Sequence, residues 1–181
     1  MKAIFIDRDG TIGGGDEVTF PQDFKLFPFS MDAMNSLKNS EYRLFAFTNQ
    51  PDISEGKADY KDFETELYSF GFDDLCICPH RPSDHCSCRK PSSLMINKMG
   101  IKYHLDLSEC FVIGDRWSDM VAGINAGTKV ILVKTGAGSG KMGLYSNQWN
   151  PNQAAYIAAD LLDAAQWILA EGRLKANPVI I

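Results

Sequence analysis

Five short, mostly apolar runs are spaced widely along this chain: Ala3–Ile6, Arg43–Phe47, Leu75–Ile77, Cys110–Ile113 and Val130–Val133. Each is rich in β-branched, aromatic or other bulky residues and too short for a helix, so each reads as a buried strand. The longer segments between them carry helical spacing. Ser30 is placed as the N-cap of one helix, with Met31, Met34 and Leu37 on its core stripe. Asp59 caps a second, with Tyr60, Phe63, Leu67 and Phe70 along one face. Ser92 or Ser93 opens a third, which Gly100 can stop. A fourth runs through Val121 and Ile124 to Gly127. The last is expected from about Gln153 to Ala170, with Ile157, Leu161, Leu162, Ile168 and Leu169 inward. Strands alternating with helices predict a three-layer α/β fold, a central parallel sheet with helices on both faces. No repeat, low-complexity stretch or linker divides the chain. Residues 1–181, 45% of them hydrophobic, are therefore expected to form a single domain with a real core.

In such folds ligands bind beyond the carboxyl ends of the strands, near the switch in strand order. Three strands here end in polar clusters: Asp7/Asp9, Thr48/Asn49 and Asp115/Asp119. A lone Asp-x-Asp is more often a plain strand-to-loop turn, with Gly10 allowing the bend and Thr11 bonding back. Three such ends converging on one crevice point to chemistry instead. Carboxylates beside Thr, Asn and Lys suit Mg²⁺ and phosphate, since Mg²⁺ takes oxygen ligands and keeps waters and substrate oxygens. Asp7 and Asp115 can give carboxylates to the metal, and Asp9 its carbonyl. Asp7 is placed as a nucleophile on phosphorus. Asp9 can protonate the leaving oxygen and then deprotonate water. Lys90 supplies a positive charge for the transferring group. Gly13-Gly14-Gly15 reads as a flexible loop next to the carboxylates.

A second cluster lies in residues 78–88: Cys78-x-His80 followed by Cys86-x-Cys88. Four soft or borderline ligands make a closed tetrahedral Zn²⁺ site, and a segment this polar and Pro-rich has little other use for three cysteines. Cys76 and Cys110 fall within strands and read as buried apolar residues. His85 is a spare ligand, and His104 has no motif around it. Arg89 and Lys90 directly follow the last ligand, so the metal would fix how Lys90 approaches the crevice.

The net charge of -5 and the absence of a Lys/Arg stripe argue against nucleic-acid binding. No apolar run approaches membrane-spanning length, and the stretch after Lys2 is too short for a signal peptide. The chain is expected to be cytoplasmic and monomeric, with no membrane partner.

Together, Asp7-Arg8-Asp9-Gly10-Thr11, Thr48-Asn49-Gln50, Arg89-Lys90-Pro91 and Gly114-Asp115-Arg116-Trp117-Ser118-Asp119 resemble the motifs of the haloacid dehalogenase (HAD) superfamily of phosphohydrolases, in order and over the chain up to about Gly138. The resemblance implies a three-layer Rossmann-like fold, with Asp7 as nucleophile and Asp9 as general acid and base. It also implies Thr48 and Lys90 on the phosphoryl group, and Mg²⁺ on Asp7, Asp9 and Asp115. The cysteine loop is similar to that of the branch holding histidinol-phosphatases and D-glycero-D-manno-heptose-1,7-bisphosphate 7-phosphatases. Five residues separate His80 from Cys86, which looks like the histidinol-phosphatase spacing. By the same resemblance Asn49, Arg89 and Arg116 contact the substrate, a small phosphorylated metabolite. No insertion in the chain is long enough for a separate cap domain, so none is expected. Two other readings compete. A zinc-loop binding module without catalysis conflicts with the intact set of Asp7, Asp9, Lys90 and Asp115. A nucleic-acid 3'-phosphatase would want a basic groove.

Overall fold

The computed structural model describes residues 1–176. β1 (Lys2–Ile6), β2 (Tyr42–Asn49), β3 (Asp74–Cys78), β4 (Phe111–Gly114), β5 (Lys129–Val133) and β6 (Tyr156–Ala158) form one sheet in the order β3-β2-β1-β4-β5-β6, every neighbouring pair parallel. The chain walks outward from β1 through β2 to β3. It then crosses back to β4 and walks outward the other way, so the order reverses between β1 and β4. Right-handed crossovers put helices made on opposite walks on opposite faces. α1 (Ser30–Lys38) and α2 (Tyr60–Ser69) cover one face, joined by α5 (Leu161–Ala176); α3 (Leu94–Tyr103) and α4 (Trp117–Ala126) cover the other.

The alternation of side chains along β1 divides the core. Ile4 and Ile6 pack with Met34, Leu37, Phe63, Leu67 and Ile168. Ala3 and Phe5 point the other way, toward Met95, Ile96 and Met120. Phe5, Phe45 and Phe47 are fully buried, and Phe5 and Phe45 meet at 5.4 Å between ring centroids. Burying each such ring is worth about 1.5–3 kcal/mol, so the strands that carry the site sit in the most strongly held part of the molecule.

Several local expectations change. Ser30 begins α1 but caps nothing; its hydroxyl donates to the Ile12 carbonyl at 2.8 Å, tying the helix to the turn after β1. Met31 is 37% exposed, whereas Met34 is core. In α2, Asp59 caps as expected by accepting from Lys61 N, and Phe63 and Leu67 are buried, but Tyr60 lies exposed at the first turn. α3 runs through Gly100, which packs against Leu107, and ends at His104 in a left-handed conformation. The expected last helix is two elements: Ile157 lies in β6, hydrogen-bonded beside β5, and α5 starts only at Leu161. Of the expected flexible Gly13-Gly14-Gly15 loop, Gly13 and Gly14 are pinned, while Gly15 is exposed with open space around it. Gly13 O accepts from Gly10 N, and Gly14 N donates to Lys25 O at 3.0 Å. Residues 177–181 of the expected domain lie outside the described residues.

Candidate active site and cysteine cluster

The register brings the polar strand ends together. Ile6, the last residue of β1, pairs with Ala46 and Ile113, and the Asp7 N–H donates to the Ile113 carbonyl at 2.9 Å. Asp7, Thr48 and Asp115 therefore emerge nearly level, flanking the strand-order reversal, and all three are buried. A crevice of about 610 Å³ opens there, lined by Asp7, Asp9, Thr48, Lys90 and, toward the rim, Arg89 and Arg116. Asn49 lines it too, although Asp115 itself lies behind the wall.

Asp115 is wholly enclosed. Its Oδ2 accepts from Ala137 N at 2.8 Å. A side-chain carbon on either Gly10 or Gly136 would collide with that oxygen, so both positions need glycine, and both have positive φ. Among the described residues the other oxygen, Oδ1, has no hydrogen bond, and the nearest cation, Arg116 Nε, is 4.0 Å away. Burial, reinforced by the like charges of Asp7 and Asp119, pushes Asp115 up to about 8.

Lys90 is clamped. Its Nζ meets Asp7 Oδ1 at 2.7 Å, Asp119 Oδ1 at 2.5 Å and the Phe47 carbonyl at 2.9 Å. Burial pulls the ammonium down, but Asp119 and Asp7 outweigh it and hold Lys90 at about 12, so it stays charged. Asp119, at the first turn of α4, also accepts from Arg116 N at 3.0 Å. Burial raises it to about 6 against the pull of Lys90. The Lys90 backbone is bracketed by Asn49, whose Oδ1 accepts from Lys90 N at 3.1 Å and whose Nδ2 donates to Lys90 O at 3.4 Å. The Asn49 amide is thus committed to Lys90. Arg89 donates to the His80 carbonyl at 3.0 Å, and Arg116 hydrogen-bonds the Asp16 carbonyl across the rim.

Asp9 sits in a web of donors. Oδ1 accepts from Arg8 Nη1 at 2.7 Å and Thr19 N at 2.9 Å; Oδ2 accepts from Gln50 Nε2 at 2.7 Å. Burial raises its pKa above the usual carboxylate range, with Arg8 opposing. Arg8 is fully buried between Phe24 and Phe63 and forms a bidentate pair with Glu66 at 2.7 and 2.9 Å. Sequence reasoning assigned no role to Arg8, Glu66 or Gln50, and placed Asp119 at the crevice without giving it a partner. One signal was available: Glu66 falls three residues after Phe63 and four before Phe70, on the apolar face of α2, where an unpaired carboxylate would not be buried.

Asp7, Asp115 and Asp119 bring carboxylate oxygens within 4.8 Å of one another. An unpartnered buried oxygen on Asp115, next to other carboxylates, fits a small hard cation such as Mg²⁺. In the second cluster, Cys88 Sγ lies 3.3 Å from both Cys78 Sγ and His80 Nδ1 and 3.6 Å from Cys86 Sγ, with Cys78 3.7 Å from His80 and Cys86. A tetrahedron with Zn–S bonds of about 2.3 Å has edges of about 3.8 Å, so these four atoms are spaced to fit zinc. All are free thiols and imidazole, without a disulfide. Cys76 and Cys110 are buried, as expected; His85 and His104 lie outside the cluster.

A doubly wound parallel sheet with its polar residues gathered at the strand-order reversal is the build of an α/β enzyme that binds its ligand there. Comparison with known proteins narrows that class. Residues 87–164 match the HAD-hydrolase-like family model. The chain is 35% identical over 145 residues to D-glycero-beta-D-manno-heptose-1,7-bisphosphate 7-phosphatase of Helicobacter pylori strain J99, covering 74% of this chain and 83% of that protein. It is 35% identical over 155 residues to the Escherichia coli K12 enzyme of the same name, covering 75% and 81%. The crystal structure of D,D-heptose 1,7-bisphosphate phosphatase from B. bronchiseptica, complexed with magnesium and phosphate, superposes with a TM-score of 0.83 at 30% identity, over 94% of this chain and 99% of that one. The chain belongs to the HAD-like hydrolases, in the family of phosphoric monoester hydrolases to which these relatives belong.

Proposed function

We propose that this protein is a Mg²⁺-dependent phosphatase of a small phosphorylated sugar of the heptose-bisphosphate type, working through an aspartyl-phosphate on Asp7. The observation that carries the reading is the meeting of Asp7, Asp9, Thr48 and Lys90 in one crevice beside an unpartnered Asp115 oxygen. Lys90 engages only Oδ1 of Asp7, and among the described residues Oδ2 takes no hydrogen bond. That oxygen attacks phosphorus as the bond to the sugar oxygen breaks, and Asp9 gives the leaving oxygen its proton. Asp9 then takes a proton from water, which attacks the phosphorus of the aspartyl-phosphate and releases phosphate and Asp7. Lys90 and the Thr48 hydroxyl stabilise the charge on the phosphoryl oxygens. Asp7, the Asp9 carbonyl and Asp115 would hold Mg²⁺, which when bound supplies charge neutralisation and orients the phosphoryl oxygens. Arg89 and Arg116 at the rim suit a second anionic group of the substrate, and Asn49 supports the site through Lys90.

Cys78, His80, Cys86 and Cys88 are read as a closed, structural Zn²⁺ site. The five free cysteines fit a reducing compartment, and among the described residues no helix is long and apolar enough to cross a membrane. These features support a cytoplasmic enzyme, read here as a single-domain monomer. The test is phosphate release from a panel: a heptose bisphosphate, histidinol phosphate, an aryl phosphate and a 3'-phosphorylated oligonucleotide. The expected result is Mg²⁺-dependent turnover, fastest on the heptose bisphosphate and absent on the oligonucleotide. Release from none of them with Mg²⁺ present would overturn the reading.

A further inference from the structure

Gln50 has no part in the chemistry above, yet it touches two of the residues that do. It is wholly buried just past the end of β2, its backbone N–H bonded to the Cys78 carbonyl at 2.7 Å. Its side-chain nitrogen lies 2.7 Å from Asp9 Oδ2 and 2.9 Å from Thr48 Oγ1, so both amide hydrogens go to site residues. Its Oε1 is buried and meets no donor among the described residues. An unpartnered buried amide oxygen is destabilising, so packing alone would favour an apolar residue of the same shape. The nitrogen faces the two site oxygens because the reverse orientation would set acceptor against acceptor at Asp9.

Counting lone pairs shows the consequence. Asp9 Oδ1 accepts from Arg8 and from Thr19 N, which fills it. Among the described residues Oδ2 accepts from Gln50 alone and keeps one open position. Thr48 Oγ1 accepts from Gln50, which turns its own hydrogen away from the amide. Among the described residues that hydrogen meets no acceptor, and Thr48 lines the crevice.

We propose that Gln50 is a positioning residue that aims both groups at once. It holds the Asp9 carboxyl so that Oδ2 alone exchanges a proton with the leaving oxygen and then with water. It also turns the Thr48 hydroxyl toward the transferring phosphoryl group. The inference rests on the phosphatase reading above.

The test is a leaving-group series: phosphate monoesters from p-nitrophenyl through phenyl to alkyl, with wild type, Gln50→Met, Asp9→Asn and the double variant. Gln50→Met keeps the side chain's length and removes both donors with the unpartnered oxygen. Gln50→Glu, of equal size, serves if methionine disturbs folding, which thermal unfolding reports. Poor leaving groups need the proton most, so the loss in kcat should grow from about tenfold on p-nitrophenyl phosphate to about 10²-fold or more on the alkyl ester. In the Asp9→Asn background the same change should cost an equal factor on every substrate, because only the Thr48 contribution remains. A loss that is uniform across the series in the Asp9-containing enzyme, or unchanged rates, would overturn the role of Gln50. Asp9→Asn would still show its own leaving-group dependence in that case, and the phosphatase reading would stand. A wild type inactive on the whole series removes both.

Discussion

Glu66→Ala tests whether the enclosed charge beneath the site is as consequential as its geometry implies. Arg8 has no exposed surface, and its Nε and Nη2 donate to Glu66 at 2.7 and 2.9 Å. Phe24 and Phe63 close over the guanidinium at 3.7 and 5.0 Å from their ring centroids. Removing the carboxylate leaves two donors of a buried cation without an acceptor. Hydrogen bonds to a charged group contribute about 1.5–3 kcal/mol each, and breaking a buried pair by deleting one partner costs about 3–5 kcal/mol. The Glu66 side chain is 9% exposed, so water can reach the vacated space, which favours the lower end, about 3 kcal/mol. For a chain of this length that lowers Tm by about 6–12 °C. Urea and thermal unfolding of Glu66→Ala against wild type measure it. A change below about 0.5 kcal/mol, the level of an ordinary surface substitution, would refute the argument. The paired replacement Arg8→Met with Glu66→Leu discriminates further. It should recover most of the stability, because an apolar pair needs no desolvation, while activity should fall below that of wild type because Asp9 has lost a donor on Oδ1.

Asp7→Asn should abolish turnover and leave the protein folded; phosphatase activity within tenfold of wild type would remove Asp7 as nucleophile. A chelator should stop the reaction and added Mg²⁺ restore it, while Asp115→Asn should lose the response to Mg²⁺ and unfold at a higher temperature than metal-free wild type, since a buried, crowded carboxylate has gone; a lower Tm would show that Asp115 is not strained. Cys86→Ser should bind less zinc by elemental analysis and raise KM more than it lowers kcat; zinc absent from freshly purified wild type, or kinetics that change only in kcat, would contradict this.

The sheet was legible because its strands are short apolar runs with abrupt polar ends, and that same abruptness exposed Asp7, Asp9, Thr48 and Asp115. β6 was not, because Tyr156-Ile157-Ala158 is brief and abuts a helix whose inward spacing absorbs Ile157. The stop at Gly100 failed because glycine there answers a packing demand, close contact with Leu107, and not a turn. Gly13-Gly14-Gly15 read as loose for the converse reason: composition does not reveal that Gly13 lies against the Lys25 and Leu26 backbone. The supporting residues were hidden for a different cause. Arg8 and Glu66 are 58 positions apart, and Lys90 lies in the crossover before β4 while Asp119 lies in α4 after it, so only the folded register makes them partners.

The position of the cysteine loop relative to the crevice follows from how each basic residue after Cys88 is held. Sequence spacing alone pointed to Lys90 as the residue the metal would place. The structure gives Lys90 independent anchors: its Nζ meets Asp7, Asp119 and the Phe47 carbonyl, and Asn49 brackets its backbone on both sides. These groups belong to β2, α4 and the turn just past β1, outside residues 78–88. Arg89 has no such support; its guanidinium is held by the His80 carbonyl, inside the loop itself. Loosening residues 78–88 should therefore release Arg89 into solvent while Lys90 keeps its side-chain bonds. A charge at the rim meets the part of a substrate remote from the reacting phosphorus, and losing it weakens binding in ground state and transition state alike, which appears in KM and not in kcat. On the function proposed above, the loop would be coupled to recognition, and the chemistry would be secured by the sheet.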